Sequence, residues 1–322
     1  MSLRRHWGRA TPEIAATGAD IARLVAPVAG GAAVTGSASL QGGLANTNLL
    51  VTLAGHDRPV VLRFHQRDPT AGPREAAIAA RVGRLAPRIL HTGRDDRLGA
   101  YSVLEWVDGR RLETLVPAEQ AALAGAIGRT LAGIHAQRFP TPGFFGPDLG
   151  IASPLPPGGA ALTGYLRHCL VDGAGGARLG QRLAAEAVAF AEAHAHLLDQ
   201  WDGPTVLVHA DFNGSNILVA DGGISGVLDW EFAFAGMPFI DFGNILRPPF
   251  GDLAGVETAI ADGYRQAGGI LPANWRQLSL LVDLLAWADF ADRPLVTDAL
   301  LADAATMIRL IMRRIDGSAE IA

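Results

Sequence analysis

The strongest constraint on the fold is a change of sequence pattern close to residue 107. Before this point, short apolar runs of strand length are separated by turn residues, and Asn48–Leu53 and Pro59–Phe64 are two of these runs. After it, apolar residues recur at helical spacing, first over Pro117–Gln137. The chain therefore favours an α+β fold in which a β-rich part precedes a helical part.

A chain of 322 residues is long enough for two lobes. We expect a β-rich lobe over residues 1–107, with a leader helix that starts near Thr11, and a helical lobe over residues 108–322. Within the second lobe, the proline-rich stretch Phe139–Pro157 is expected to be a long loop. A short block of β character returns inside the helical lobe at Thr205–Trp230.

Composition excludes several classes of protein. A net charge of −5 argues against a general nucleic-acid binder, and a single cysteine, Cys169, excludes an intrachain disulfide framework and a cysteine-built zinc site. Neither a signal peptide nor an apolar stretch of membrane-spanning length is visible, so a soluble cytoplasmic protein is expected. All 27 basic residues are arginine, so chemistry that needs a lysine ammonium is closed to this chain.

The β block inside the helical lobe carries the clearest chemical pattern. His209, Asp211 and Asn216 form an H-x-D-x-x-x-x-N sequence, and Asp229 ends the second strand of the hairpin that follows. This order can bring two carboxylates and an amide oxygen to one point. Such oxygen ligands suit Mg²⁺, which bridges phosphates, and a carboxylate beside it can accept an alcohol proton, as phosphoryl transfer requires. The alternative is that Asp211 and Asp229 are ordinary turn or cap residues.

These motifs resemble the aminoglycoside phosphotransferase and choline kinase superfamily, the small-molecule branch of the protein-kinase-like fold. The resemblance covers roughly residues 30–290 and rests on HADFNGSN and LDWEFAFAGMPFIDFGN. It implies that Asp211 is the catalytic base and that Asn216 and Asp229 bind Mg²⁺. It also implies that Asp241 braces the catalytic loop and that His209 has a packing and hydrogen-bonding role.

The β-rich lobe adds a candidate nucleotide site. A glycine-containing loop between two predicted strands resembles the nucleotide-covering loop of choline-kinase-like proteins, and its candidate nucleotide-binding residues are Gln41, Gly42, Gly43 and Asn46. An ordinary turn is the alternative for this loop. The segment SVLEWVDG resembles the hinge between lobes, which implies that backbone groups of Glu105 and Val107 bind adenine.

Arg63 occupies the strand position where kinases carry a lysine that contacts phosphates and pairs with a helix glutamate. Glu75 is the candidate partner on the following helix. Arginine keeps the charge and adds bidentate geometry, but it is larger than lysine and not interchangeable with it. The alternative for Arg63 is an outward-facing surface arginine on the strand. The alternative for Glu75 is an acidic residue that the helix dipole favours in the first turn.

Two further groups lie in the late helices. Trp275, Trp287 and Phe290 could form an aromatic box for a quaternary ammonium, although core packing is the preferred interpretation. Asp283, Asp289 and Asp292 could meet a cationic acceptor, but a solvated helix face is preferred for them.

The sequence thus predicts an ATP- and Mg²⁺-dependent kinase that phosphorylates a hydroxyl of a small molecule, such as a choline-like amino alcohol, an aminoglycoside or another metabolite. The expected partners are ATP and this acceptor, without nucleic acid or membrane, and the oligomeric state stays open. Two alternatives are a catalytically weak nucleotide-binding pseudokinase, which only Arg63 favours, and a hydrolase with paired carboxylates, for which no G-x-S-x-G motif exists.

Overall fold

The computed structural model describes residues 11–40 and 45–319. The helices of this part of the chain are α1 Gly18–Ala29, α2 Ala71–Val82, α3 Pro117–Ala122, α4 Ala124–His135, α5 Gly158–Arg167, α6 Gly175–Leu179, α7 Gln181–His194, α8 His196–Asp199, α9 Phe239–Ile245, α10 Val256–Gln266, α11 Trp275–Asp292 and α12 Asp298–Ala319. The strands are β1 Val34–Ser39, β2 Thr47–Leu53, β3 Val60–Phe64, β4 Ile89–Asp95, β5 Gly99–Glu105, β6 Arg110–Arg111, β7 Arg138–Phe139, β8 Gly143–Phe145, β9 Ile151–Pro154, β10 Thr205–Val208, β11 Ile217–Ala220, β12 Gly223–Val227 and β13 Phe234–Gly236.

The first part of the chain is a five-stranded antiparallel sheet in the order β1-β2-β3-β5-β4. Its apolar face packs under α1, where Leu24 and Val25 join Leu62, Phe64 and Val103 in one buried cluster. Alternation along β3 places Leu62 and Phe64 in this core and points Arg63 to the other face. The sheet therefore aims Arg63 toward the helical part of the molecule.

The rest of the chain is mainly helical and has its own large core, in which α4 packs on α10 and α11 packs on α9 and α12. The hairpin β11-β12 pairs with the short strand β6, and Leu218 lies opposite Arg111. This α+β architecture confirms the predicted fold class, and the boundary of the two lobes at residue 107 stays a prediction. No helix of the described residues has the length and apolar character needed to cross a membrane.

Two local predictions are wrong. The first helix begins at Gly18 and not near Thr11, because Thr17 and Asp20 form a reciprocal capping box: the Asp20 N–H donates to Thr17 Oγ1 at 3.2 Å and the Thr17 N–H donates to Asp20 Oδ2 at 2.9 Å. The expected loop Phe139–Pro157 contains β8 and β9, since Gly143 finds a partner in Ala235, far along the chain.

Candidate active site

Asp241, which is fully buried near the start of α9, holds the loop between β10 and β11 by hydrogen bonds. Its two carboxylate oxygens accept the backbone N–H groups of His209 and Ala210, each at 2.8 Å, and Oδ2 also lies 3.0 Å from His135 Nε2. Ala210 has a left-handed backbone with φ of +63°, which is costly for a residue with a side chain. The bond to Asp241 helps to stabilise this strained conformation, and the expected bracing contact is thus present.

His209 connects the loop to the hairpin. Its Nε2 donates to the carbonyl of Leu228 at 2.8 Å, and its Nδ1 accepts the backbone N–H of Asp211 at 3.2 Å. The ring is fully buried and lies 4.6 Å from the ring of Trp230. Both ring nitrogens are therefore used within the protein, in keeping with a structural role for this histidine.

Asp211 is held by two asparagine side chains. Asn216 Nδ2 lies 2.8 Å from Asp211 Oδ2, and Asn213 Nδ2 lies 2.9 Å from Asp211 Oδ1. Because its amide nitrogen faces Asp211, the Oδ1 of Asn216 points to another direction, where it can bind a cation. Asn213 was not predicted, although its place within HADFNGSN was a usable signal.

Asp229 is brought close to this loop by the backbone, since the N–H of Leu228 donates to the carbonyl of Asn216 at 2.7 Å. Its own backbone is left-handed, with φ of +67°, a conformation that aspartate tolerates better than most residues. The structure thus places Asn216 against Asp211 and brings the backbone before Asp229 against Asn216, while the joint binding of a metal ion by Asn216 and Asp229 stays a prediction.

Arg63 lies between two carboxylates. Its Nη1 is 2.9 Å from Glu75 Oε2, and its Nη2 makes a short contact with Asp229 Oδ1. Burial by itself would lower the pKa of Arg63, but Asp229, Glu75 and Glu231 outweigh burial and hold this pKa above its usual value. Burial, only partly offset by Arg63, raises the pKa of Glu75 to about 7. The predicted strand-to-helix ion pair is present, with arginine in place of lysine.

Glu231 is a site residue that sequence reasoning missed. Asn46 Nδ2 donates to Glu231 Oε2 at 2.9 Å, and Arg67 Nη1 lies 3.3 Å from Glu231 Oε1. Burial, with Asp229 nearby, raises the pKa of this carboxyl group. Its position two residues after Asp229 was the available signal. Glu231 connects the end of the glycine-containing loop to the segment that carries Asp229.

A cavity of about 380 Å³ joins four of the eight predicted nucleotide-binding residues. Its wall includes Arg63, Glu75, Glu105, Val107, Asn216 and Asp229. Asn46 lies outside this wall and is anchored on Glu231. The predicted residues Gln41, Gly42 and Gly43 lie outside the described part of the chain.

The aromatic residues of the late helices are core residues, as preferred. Trp287 is fully buried, and Trp275 and Phe290 are each 7% exposed. The expectation of a solvated face is wrong for Asp283, which is buried against Arg247 at 2.6 Å and also accepts the Trp287 Nε1–H at 2.8 Å. The arginine needed to neutralise Asp283 comes from another segment, and spacing along α11 could not reveal it.

The oxygen set at the cleft fits a hard divalent cation. Within residues 11–40 and 45–319, no three His, Cys, Asp or Glu side chains are grouped as an all-protein metal site. One carboxylate and one amide oxygen, Asp229 and Asn216, are instead the kind of partial set that Mg²⁺ uses when phosphate oxygens and water complete its shell. The carboxylates of Glu75 and Glu231 add negative charge near Arg63, which pairs with Asp229.

A small antiparallel sheet followed by a helical body is the architecture of protein-kinase-like phosphotransferases. The model of the phosphotransferase enzyme family matches residues 38–281, and the chain belongs to this family. The predicted family and the prediction of an enzyme of the small-molecule kinase class are thereby confirmed.

Solved structures support the same fold. Aminoglycoside phosphotransferase APH(4)-Ia is 20% identical, with a TM-score of 0.70 over 92% of this chain and 99% of that chain. A putative fructosamine-3-kinase from Thermobifida fusca is 20% identical, with a TM-score of 0.64 over 92% and 100% of the two chains. Macrolide 2'-phosphotransferase MphH from Brachybacterium faecium is 19% identical, with a TM-score of 0.62 over 89% and 97%. No curated protein sequence matches this chain.

Proposed function

We propose that this phosphotransferase moves the γ-phosphate of ATP to a hydroxyl group of a small molecule, with Mg²⁺ bound in the cleft. The observation that carries the proposal is the position of Asp211, whose carboxylate is held by Asn213 and Asn216 beside the segment that ends in Asp229. A thermostable mutant of APH(4)-Ia has been solved with AMP-PNP and hygromycin B, which supports a nucleotide and an acceptor in this fold.

In this proposal, ATP occupies the 380 Å³ cavity. The adenine edge meets the Glu105 carbonyl and the Val107 N–H, since the Glu105 N–H already donates to the carbonyl of Arg88 at 2.9 Å. Arg63 contacts the phosphates, while Glu75 and Asp229 orient its guanidinium. The nucleotide-binding role of Gln41, Gly42 and Gly43 stays a prediction from the sequence.

Asp211 accepts the proton of the attacking hydroxyl and fixes its direction. The two asparagine amides that donate to Asp211 keep its carboxylate in one orientation before the substrate arrives. Asn216 and Asp229 hold the metal ion, which supplies positive charge against the β- and γ-phosphate oxygens. Asp241 acts through the backbone of residues 209 and 210, so it is a positioning residue.

The pseudokinase alternative gains no support from Arg63, because this residue keeps the ion pair with Glu75 that a lysine would make. The test is ADP formation by the full chain with ATP and a panel of alcohols, with Mg²⁺ or with EDTA. We expect Asp211→Asn to lower kcat by about 10²–10⁴-fold. Asp221→Asn, the same change in the exposed turn of the hairpin, is the control and should leave kcat unchanged. Full turnover by Asp211→Asn would refute the proposal.

A further inference from the structure

A further cavity, of about 470 Å³, lies where the start of α2, strands β4 and β5 and the end of β8 meet. None of the described residues in its wall lines the 380 Å³ cavity, and Asp211 is not among them. The phosphotransferase function proposed above therefore makes no use of this space. Its volume is within the range of cavities that bind small organic molecules.

The charge of this wall has one sign. Arg74 and Arg94 line the cavity, and none of the described residues in the wall carries a carboxylate. Arg94 is exposed on β4, and within the part of the chain that the structure describes it forms no ion pair. Its guanidinium is therefore available to a ligand with a negative charge, for which it offers two parallel N–H donors.

Arg74 is only partly satisfied by the protein. Its Nη2 lies 2.8 Å from Asp68 Oδ2 and 3.3 Å from the carbonyl oxygen of Glu231. Its Nε is buried and has no hydrogen-bond partner among the described residues, although buried donors are nearly always paired. Asp68, which lies outside the wall, balances one of the two arginines, so the cavity keeps an excess of positive charge.

The rest of the wall suits an apolar body. Its apolar residues include Pro69, Pro73, Phe145 and Pro147. The ring of Tyr101 lies directly against Gly93, where a side-chain carbon would be 2.7 Å from ring atoms. Glycine at position 93 therefore allows this ring to lie across β4 and to join the wall. A bound molecule would bury carbon surface on these residues and release water from them.

We propose that this cavity binds a small organic anion, in which one carboxylate meets Arg94 and Arg74 and an apolar ring lies among the prolines, Phe145 and Tyr101. The site is separate from the cavity assigned to ATP and from the proposed base. The anionic group provides charge that the wall lacks, and the ring provides apolar surface. Neither part alone accounts for both features of the wall, so the two together define the ligand.

The test is a ligand-observed NMR titration of the full chain, without nucleotide or acceptor, with benzoate, benzamide and acetate. Benzamide keeps the ring and loses the charge, whereas acetate keeps the charge and loses the ring. Because hydrogen bonds to an ionised group are stronger than those to a neutral one, benzoate should bind at least about tenfold tighter than benzamide. Acetate should also bind at least about tenfold more weakly than benzoate, since it buries little carbon surface. Equal binding of benzamide or acetate, or no saturable binding of benzoate, would overturn the inference.

Variants of Arg94 link the binding to this cavity. Arg94 is exposed, so Arg94→Gln is tolerated by the fold, and it should weaken benzoate binding by about tenfold. Arg94→Lys keeps the charge and should restore most of the affinity. Arg84→Gln, at an exposed arginine outside the wall, is the control and should leave the Kd for benzoate unchanged. Unchanged binding by Arg94→Gln would place benzoate elsewhere and refute the site. The titration contains no ATP, so its outcome is independent of the phosphotransferase function.

Discussion

Arg63 in the sheet forms an ion pair with Asp229, which follows the hairpin of the helical part. The same guanidinium holds Glu75 at 2.9 Å, so one side chain connects the sheet, helix α2 and the proposed metal segment. A lysine would have to donate to both carboxylates from one nitrogen atom, whereas the guanidinium reaches Glu75 through Nη1 and Asp229 through Nη2. The arginine in this position therefore orders the cleft before nucleotide binds, and the phosphates of ATP would compete with Asp229 for it.

The first prediction concerns this buried ion pair. Arg63→Met should lower the free energy of unfolding by about 3–5 kcal/mol, because it leaves the carboxylates of Glu75 and Asp229 without their cation. Arg63→Lys should lower the free energy of unfolding by less, since lysine keeps the positive charge beside the two carboxylates. Urea unfolding monitored by tryptophan fluorescence measures both. Arg182→Met removes an exposed pair with Glu186 and should leave the free energy of unfolding nearly unchanged. A similar loss in the two methionine variants would contradict this reading of Arg63.

The second prediction concerns pH and His65. Burial, with help from Arg63, lowers the pKa of His65 to about 4, and its Nε2 lies 2.8 Å from Ser102 Oγ. The unfolded chain binds this proton near pH 6.5 and the folded chain only near pH 4, so stability falls as pH falls through this window. The part due to His65 should be about 2 kcal/mol between pH 8 and pH 5. Because the raised pKa of Glu75 acts in the opposite sense over the same range, the test is the difference in unfolding free energy between the parent protein and His65→Gln, which urea unfolding at several pH values should show to change by this amount.

The control for this pH prediction is His56→Gln, at an exposed turn residue. It should keep the slope of the parent protein, because the substitution removes an exposed imidazole and leaves the buried His65 unchanged. Parallel curves for the parent protein and His65→Gln would show that His65 does not cause the acid sensitivity.

The third prediction concerns Asp241, which accepts N–H groups from His209, Ala210 and His135. Asparagine has one oxygen, and its amide N–H₂ would face a donor, so Asp241→Asn should lose about 3 kcal/mol of unfolding free energy. Hydrogen exchange at the backbone amides of residues 209 and 210, measured by mass spectrometry, should become faster. The kcat of the variant should also be lower than that of the parent protein. Asp262→Asn, at a half-exposed position on α10, is the control. Unchanged exchange at 209 and 210 would show that Asp241 does not brace the loop.

The contact of Asn216 with Asp211 could be predicted because local spacing determines it. Four residues separate Asp211 from Asn216, and a single hairpin returns the chain to Asp229, so a short stretch of sequence determines how their backbones meet. The ion pair of Arg63 with Glu75 could be predicted for a similar reason, since a strand and the next helix carry the two residues.

Contacts between distant segments could not be predicted in this way. Glu231 meets Asn46 across most of the chain length, and Asp283 meets Arg247, which follows the end of α9. In both cases the sequence shows the acidic residue but not the residue that pairs with it. Whether the acidic residue is buried depends on how distant segments pack, which spacing along the chain does not reveal. The strands within Phe139–Pro157 were missed for the same reason, because Gly143 pairs with Ala235.

The last prediction concerns the hydrogen bond between Asn46 and Glu231, which ties the end of the glycine-containing loop to the segment of Asp229. Asn46→Ala removes a bond to a charged acceptor, worth about 1.5–3 kcal/mol, and should raise the KM for ATP by about tenfold with a smaller effect on kcat. Glu231→Gln removes the charge from the same contact. If the bond positions the loop, the two changes should not be additive in a double-mutant cycle, because both remove one interaction.

Steady-state kinetics with ATP as the varied substrate measures this cycle, and Asn274→Ala is its control, since Asn274 precedes α11 without a side-chain capping bond. Additive effects of Asn46→Ala and Glu231→Gln would show that the two side chains act separately. A coupling energy of about 1 kcal/mol or more would show that the β-rich part and the metal segment bind nucleotide as one unit, which is what a cleft closed over ATP requires.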